Sequence, residues 1–222
     1  MHQLDNHLSA NSAFTLIELL VAMAVASIMM AVIATAFWQQ TQSSRRQQAV
    51  VEMQQNMRSA MYFMERDIKM AGYDGDVNSP PSATITTADS DEFSFTYVDD
   101  GGASHTVTYD LYDANSDGDD DIGRKLDSLQ KAAIAQNIQD LEFFYTLADG
   151  RQAADPSALS PPGLPEDVRV VGITILARTA LKTEAGTSNR TYTSLSGQVS
   201  GPFNDRYQRQ LLTATILCRN MM

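Results

Sequence analysis

Cysteine is nearly absent: Cys218 is the only one in 222 residues, so no disulfide can close within the chain, whatever the redox state of its compartment. Basic residues are also scarce. Sixteen Lys and Arg stand against 27 Asp and Glu, a formal net charge of −11. That balance excludes nucleic acid as a partner, which needs a basic face, and argues against charge-driven adhesion to anionic lipid. The deficit is steepest from Met70 to Gly123, where thirteen Asp and Glu occur without one Lys or Arg; such a block is a solvated face or a cation site. Histidine offers little chemistry, with His2 and His7 near the N-terminus and His105 alone in a turn-like stretch. Cys218 lies in an apolar run with no His partner in view, the pattern of a buried thiol. There is no phosphate-binding loop, G-x-S-x-G elbow or zinc spacing. The carboxylates cluster in loops, without two of them held in different environments. No enzyme is expected, and no cofactor is required.

What the chain does hold is an apolar run from Phe14 to Trp38, 25 residues with one charge, Glu18. As a helix it would be about 37 Å long, enough to cross a hydrocarbon core of about 30 Å with some tilt. A globular helix of that length would show a polar face, and this one shows none. Residues 14–38 therefore read as a membrane span. A carboxylate inside a membrane costs about 2.5 kcal/mol or more at a helix centre and less near an end, so Glu18 needs a partner or access to water.

Residues 39–72 continue as a different kind of helix. Val50, Met53, Met57, Ala60, Met64, Ile68 and Ala71 recur at three- and four-residue spacing, with Gln54, Gln55, Arg58, Arg66 and Lys69 between them. That Met-rich stripe reads as a face packed on a sheet. Neither Pro nor Gly interrupts Phe14 to Ala71, so both halves form one helix, and Gly72 is its natural stop.

Residues 73–222 read as β-rich. A loop is expected over Asp74–Ser82, then strands over Glu92–Val98 and Thr106–Tyr112 joined by a hairpin at Asp99-Asp100-Gly101-Gly102. Further strands are expected over Asn137–Thr146, Val168–Arg178 and Arg209–Cys218, with 153–166 irregular and 182–206 a long loop. The fold class is α+β: a long N-terminal helix packed on an antiparallel sheet.

Between two of these strands stands Asp113-Ala114-Asn115-Ser116-Asp117-Gly118-Asp119-Asp120-Asp121. Its start fits D-x-[DN]-x-[DN]-G, in which oxygens at alternate positions wrap a hard cation and Gly permits the sharp turn. Asp113, Asn115, Asp117, Asp119 and Asp121 are the candidate ligands for Ca2+. The twelfth position is Arg124 where an EF-hand has Glu, and the flanks read as strands. A calcium-bound turn and an acidic, solvated loop both fit.

The residues Ala13-Phe14-Thr15-Leu16-Ile17-Glu18-Leu19-Leu20 resemble the class III signal of type IV prepilins and type II secretion pseudopilins, usually G-F-T-L-I-E. Small residues precede the apolar run instead of following it, the reverse of a secretory signal peptide. The resemblance implies that residues 1–13 are a leader, that a prepilin peptidase/N-methyltransferase cuts between Ala13 and Phe14 and methylates Phe14, and that Glu18 neutralises the new amine of a neighbouring subunit. The alternative for Glu18 is that it simply reaches the headgroups. Ala13 departs from the usual Gly. The leader also lacks Lys and Arg, while Arg45 and Arg46 follow the span; positive-inside logic would place the C-terminal domain in the cytoplasm, whereas the motif places it in the periplasm.

The helix exit Arg66-Asp67-Ile68-Lys69-Met70-Ala71-Gly72-Tyr73 resembles the minor pilins called PilW. The resemblance implies a bacterial inner-membrane, single-pass protein that joins the priming or tip complex of a type IV pilus at the cell surface. Its partners would be other minor pilins, the major pilin and the inner-membrane assembly platform. A J-type pseudopilin of type II secretion is the second reading, and a bitopic sensor or adhesin with a calcium-binding extracytoplasmic domain is the third.

Overall fold

The computed structural model describes residues 14–76, 83–183 and 186–222. One helix, α1 (Leu16–Ile68), is followed by ten strands: β1 (Ile85–Ala88), β2 (Phe93–Val98), β3 (Ser104–Tyr112), β4 (Asp120–Leu126), β5 (Ala132–Leu147), β6 (Gln152–Ala153), β7 (Val168–Arg178), β8 (Tyr192–Thr193), β9 (Val199–Ser200) and β10 (Arg209–Leu217). The chain divides at Arg45/Arg46 into two compact units.

In the first unit, the apolar side chains of α1 from Leu16 to Trp38 are exposed. They bury nothing within their unit, as expected of a surface meant for lipid or for other helices. In the second unit, α1 buries one stripe: Ala49, Met53, Met57, Ala60, Met61, Met64, Asp67 and Ile68. The helix ends at Ile68, with a turn through Gly72, slightly short of the expected exit. Gly72 takes φ +74°, a left-handed conformation that favours glycine, and packs against the Met221 side chain. The C-terminal 3-10 turn Arg219–Met221 seals this helix end, where Asn220 Nδ2 donates to the Lys69 carbonyl at 3.0 Å.

The main sheet runs β1-β2-β3-β4-β5-β7-β10, antiparallel throughout, with β6 attached to β5. Its helix-facing side contributes Phe93, Phe95, Tyr109, Phe143, Tyr145, Ile173 and Ile175 to the same core as the methionines of α1. The alternation of β2 and β3 follows from that single buried face. β7 (VRVVGITILAR) shows no such alternation because its opposite face is also covered. Leu195 packs on Gly172, where a Cβ would lie 2.9 Å from Leu195 Cδ1, and its N–H donates to Thr174 Oγ1 at 3.2 Å. Ser196 bonds Glu142, and Ser200 Oγ donates to Asp140 Oδ2 at 2.8 Å. The expected long loop 182–206 thus carries the small β8–β9 ribbon, laid on β5 and β7.

Several strands depart from the sequence reading, the two-residue β6, β8 and β9 among them. β1 and β4 were not expected: β1 is only four residues long, and β4 begins inside the acid-rich stretch. β5 starts five residues before Asn137, which sits within it at φ +59° and interrupts the alternation.

Candidate functional site

Thr15 and Glu18 close the start of α1 reciprocally. The Thr15 N–H donates to Glu18 Oε2 at 3.0 Å, the Thr15 hydroxyl donates to the same oxygen at 2.9 Å, and the Glu18 N–H donates to Thr15 Oγ1 at 3.3 Å. This is a capping box, S/T-x-x-E, which satisfies helix-start donors that have no partner within the helix. Glu18 therefore has a local partner already, a relation legible in T-L-I-E and missed in reading the carboxylate against the membrane alone. Phe14, the expected methylation site, is 80% exposed. Ala13 and the leader lie outside the described residues.

The acidic stretch forms the loop between β3 and β4, closed by the pair Tyr112–Asp121. Asp113 accepts the N–H of Asp117 at 3.2 Å and of Gly118 at 3.1 Å. Asn115 Oδ1 accepts the Asp117 N–H at 3.1 Å, and Asp117 Oδ1 accepts the Asp119 N–H at 2.9 Å. Asp119 is ion-paired with Arg178 of β7, which holds the loop against the sheet. Asp121 differs from its neighbours in being 2% exposed. Its Oδ1 accepts the Asn137 N–H at 3.3 Å, while Oδ2 has no hydrogen-bond partner among the described residues. Burial, with a smaller push from Asp117 and Asp113, raises the Asp121 carboxyl above the ordinary aspartate range. Among the described residues, no three acidic, His or Cys side chains are gathered as a ready cation cage.

A second charged cluster locks α1 to the sheet. Asp67, buried at the end of the helix, accepts the Tyr109 hydroxyl at 2.8 Å and Arg124 Nε–H at 2.7 Å on Oδ2, and Arg66 on Oδ1. Burial, then the Asp67 carboxylate, push the Tyr109 phenol far above its usual range. His105 bridges two carboxylates, with Nδ1 2.9 Å from Asp127 and Nε2 3.3 Å from Asp99. Cys218 is buried, which pushes its thiol up to about 12.

Two comparisons bear on these features. A family model described as a prokaryotic N-terminal methylation motif matches residues 8–34. In fold, the chain is similar to a type IV-like pilin from Thermus thermophilus, with a TM-score of 0.53 at 14% identity, over 75% of this chain and 97% of that one. No curated protein matches in sequence. The chain thus carries a prokaryotic N-terminal methylation motif at the start of an exposed apolar helix, on an α+β fold similar to that of a type IV-like pilin.

Proposed function

We propose that the chain is a minor pilin of the PilW type, non-catalytic, that takes part in the priming or tip complex of a type IV pilus. The carrying observation is the uncovered apolar surface of α1 from Leu16 to Trp38, directly behind the matched methylation motif. Exposed Leu, Ile, Val and Met on one helix are stable only in lipid or against other apolar helices. An inner-membrane subunit waiting for assembly meets both surroundings in turn. On this reading the folded domain lies in the periplasm until the subunit enters the filament. Its partners are the prepilin peptidase/N-methyltransferase, other minor pilins, the major pilin and the assembly platform.

Cleavage between Ala13 and Phe14 would place a new α-amine four residues before Glu18. That amine would stand one residue before the Thr15 cap that Glu18 closes. Glu18 would then exchange a neutral cap for a charged partner, in its own chain or in the next subunit. Leu16 to Leu20 carry no cation to compete for it.

The test is co-expression with a prepilin peptidase, followed by intact-mass measurement and N-terminal sequencing. The expected product starts at methylated Phe14 and lacks residues 1–13. A chain that keeps its full mass in the presence of active peptidase refutes the proposal. The Ala71-Gly72-Tyr73 exit, through its resemblance to PilW chains, favours the pilus over the J-type secretion reading; in the fold Gly72 N–H donates to the Thr96 carbonyl at 3.2 Å, and the Tyr73 hydroxyl donates to Asp100 at 2.7 Å. A deletion strain that loses pili and keeps secretion is expected; loss of secretion alone would overturn the pilus assignment.

A further inference from the structure

We infer that the open edge of the main sheet, strand β10, pairs antiparallel with β10 of a second copy of this chain, and that the two copies stand on different membranes or filaments. β10 closes the strand order, and β7 is its one partner strand among the described residues. Sheets usually blunt an exposed edge with charge, Pro, a bulge or a very short strand. The opposite edge, β1, is blunted in this way: it is four residues long and bulged against β2. β10 has none of these devices. Leu211 to Leu217 carries no charge and no Pro, and the register with β7 is unbroken through it. Copies with a net charge of −11 repel one another over most of their surface, so an uncharged edge is where two of them can meet.

The occupant follows from the sequence of the edge. Leu211-Leu212-Thr213-Ala214-Thr215-Ile216-Leu217 reads almost the same in both directions about Ala214. At the two ends of the register, Thr179 N–H donates to the Gln208 carbonyl and Cys218 N–H donates to the Arg169 carbonyl, so even-numbered residues give their backbone groups to β7. Leu211, Thr213, Thr215 and Leu217 therefore present theirs to the open edge. A two-fold axis through Ala214 sets Leu211 opposite Leu217 of the second copy and Thr213 opposite Thr215. Open backbone groups then meet open groups, and like side chains meet like. The same axis decides where the copies stand. α1 follows the direction of β10: Gln54 Nε2 donates to Gln210 Oε1 at 3.0 Å where the strand starts, and Asn220, just past its end, donates to the Lys69 carbonyl. An axis normal to the sheet reverses both, so the two helices enter the pair from opposite ends. Neighbours in one membrane cannot meet in this way, whereas chains on facing membranes or separate filaments can. This last step rests on the reading of residues 14–38 as an anchor; the pairing itself does not.

The test places the full chain in two populations of phosphatidylcholine vesicles, one with a donor and one with an acceptor lipid dye, and sediments the same chain in detergent micelles. Vesicles should cluster, with energy transfer, only when both populations carry the chain, and micelles should pair as protein concentration rises. Thr213→Lys/Thr215→Lys sets like charges opposite each other across the axis and should abolish both signals. Thr213→Lys/Thr215→Glu sets opposite charges together and should restore them. Both threonines are exposed, so each variant should melt within about 2 °C of the parent. The inference is overturned if vesicles carrying the parent stay dispersed, or if chains pair only within one vesicle. It is equally overturned if the doubly basic variant clusters as the parent does, or if the Lys/Glu variant fails to restore clustering. Processing at Ala13/Phe14 is read on a different part of the chain, so either idea can fail alone.

Discussion

Replacing Asp67 with Ala should be among the most damaging single changes in the folded unit. The carboxylate is the shared acceptor for Tyr109 of β3, Arg124 of β4 and Arg66 of its own helix. Its side chain is 8% exposed, against 23% for Arg124 and 57% for Arg66. Removal leaves the Tyr109 hydroxyl buried without an acceptor, which costs about 1–3 kcal/mol. It also leaves Arg124 with an uncompensated charge. Breaking a buried pair from one side typically costs about 3–5 kcal/mol; Arg124 retains partial access to water, so about 3–4 kcal/mol is the expected loss. For a unit of this size each kcal/mol lowers the melting temperature by about 2–4 °C, giving a total fall of about 6–16 °C. The assay is urea and thermal unfolding of residues 46–222, the compact second unit, followed by near-ultraviolet circular dichroism. Two controls locate the effect. Arg66→Ala should cost less than about 1 kcal/mol, as an exposed pair does. Tyr109→Phe should cost about 1 kcal/mol, since Asp67 keeps Arg124. If Asp67→Ala costs under about 1 kcal/mol, or Arg66→Ala costs as much, Asp67 is not the lock between helix and sheet.

Two further predictions address packing and pH. Met57→Asp or Met64→Asp should cost about 3–5 kcal/mol or prevent folding, because both side chains are at most 1% exposed and sit in the apolar core; a mutant melting within about 1 kcal/mol of the parent would mean the helix buries a different face. His105 has its folded pKa raised because its ring N–H groups donate to Asp127 and then to Asp99. Its contribution is therefore fully present below the unfolded value of about 6.5 and is lost as pH rises through the folded value. An NMR titration of the ring protons should place His105 above about 6.5, with Asp127→Asn moving it back down; a value at or below 6.5 in the parent refutes the bridge.

The elements readable in the sequence are those fixed by one period and one environment. The stripe Met53, Met57, Ala60, Met64, Ile68 is expected from spacing and is buried in the structure, because one sheet covers one helix face. β2, β3, β7 and β10 follow in the same way, within a residue or two at their ends. Where a strand's environment changes along its length, the pattern misleads. β4 runs from Asp120 to Leu126 with Asp, Gly, Arg and Lys among its seven residues, so nothing local marks it as a strand. It forms because β3 and β5 both hydrogen-bond to it. β5 is broken in pattern at Asn137, whose left-handed conformation is stabilised by a carboxylate sixteen residues earlier, Asp121.

Charge is harder to read than apolarity, because its meaning depends on what lies across the fold. From the sequence Arg66-Asp67 fits ordinary helix-end charge and a specific pairing equally; in the fold only Asp67 is buried, and its decisive partner Arg124 is 57 residues away. Within the acidic loop five residues look alike as ligands, but Asp119 faces Arg178, 59 residues on, while Asp121 turns inward beneath Asn137. The odd-position spacing is a local property and therefore legible; which carboxylate is satisfied and which is left short depends on β5 and β7. Local spacing can nominate a cation loop. Which oxygen of that loop ends up buried is decided only when the sheet closes around Asp121, and no local spacing announces it.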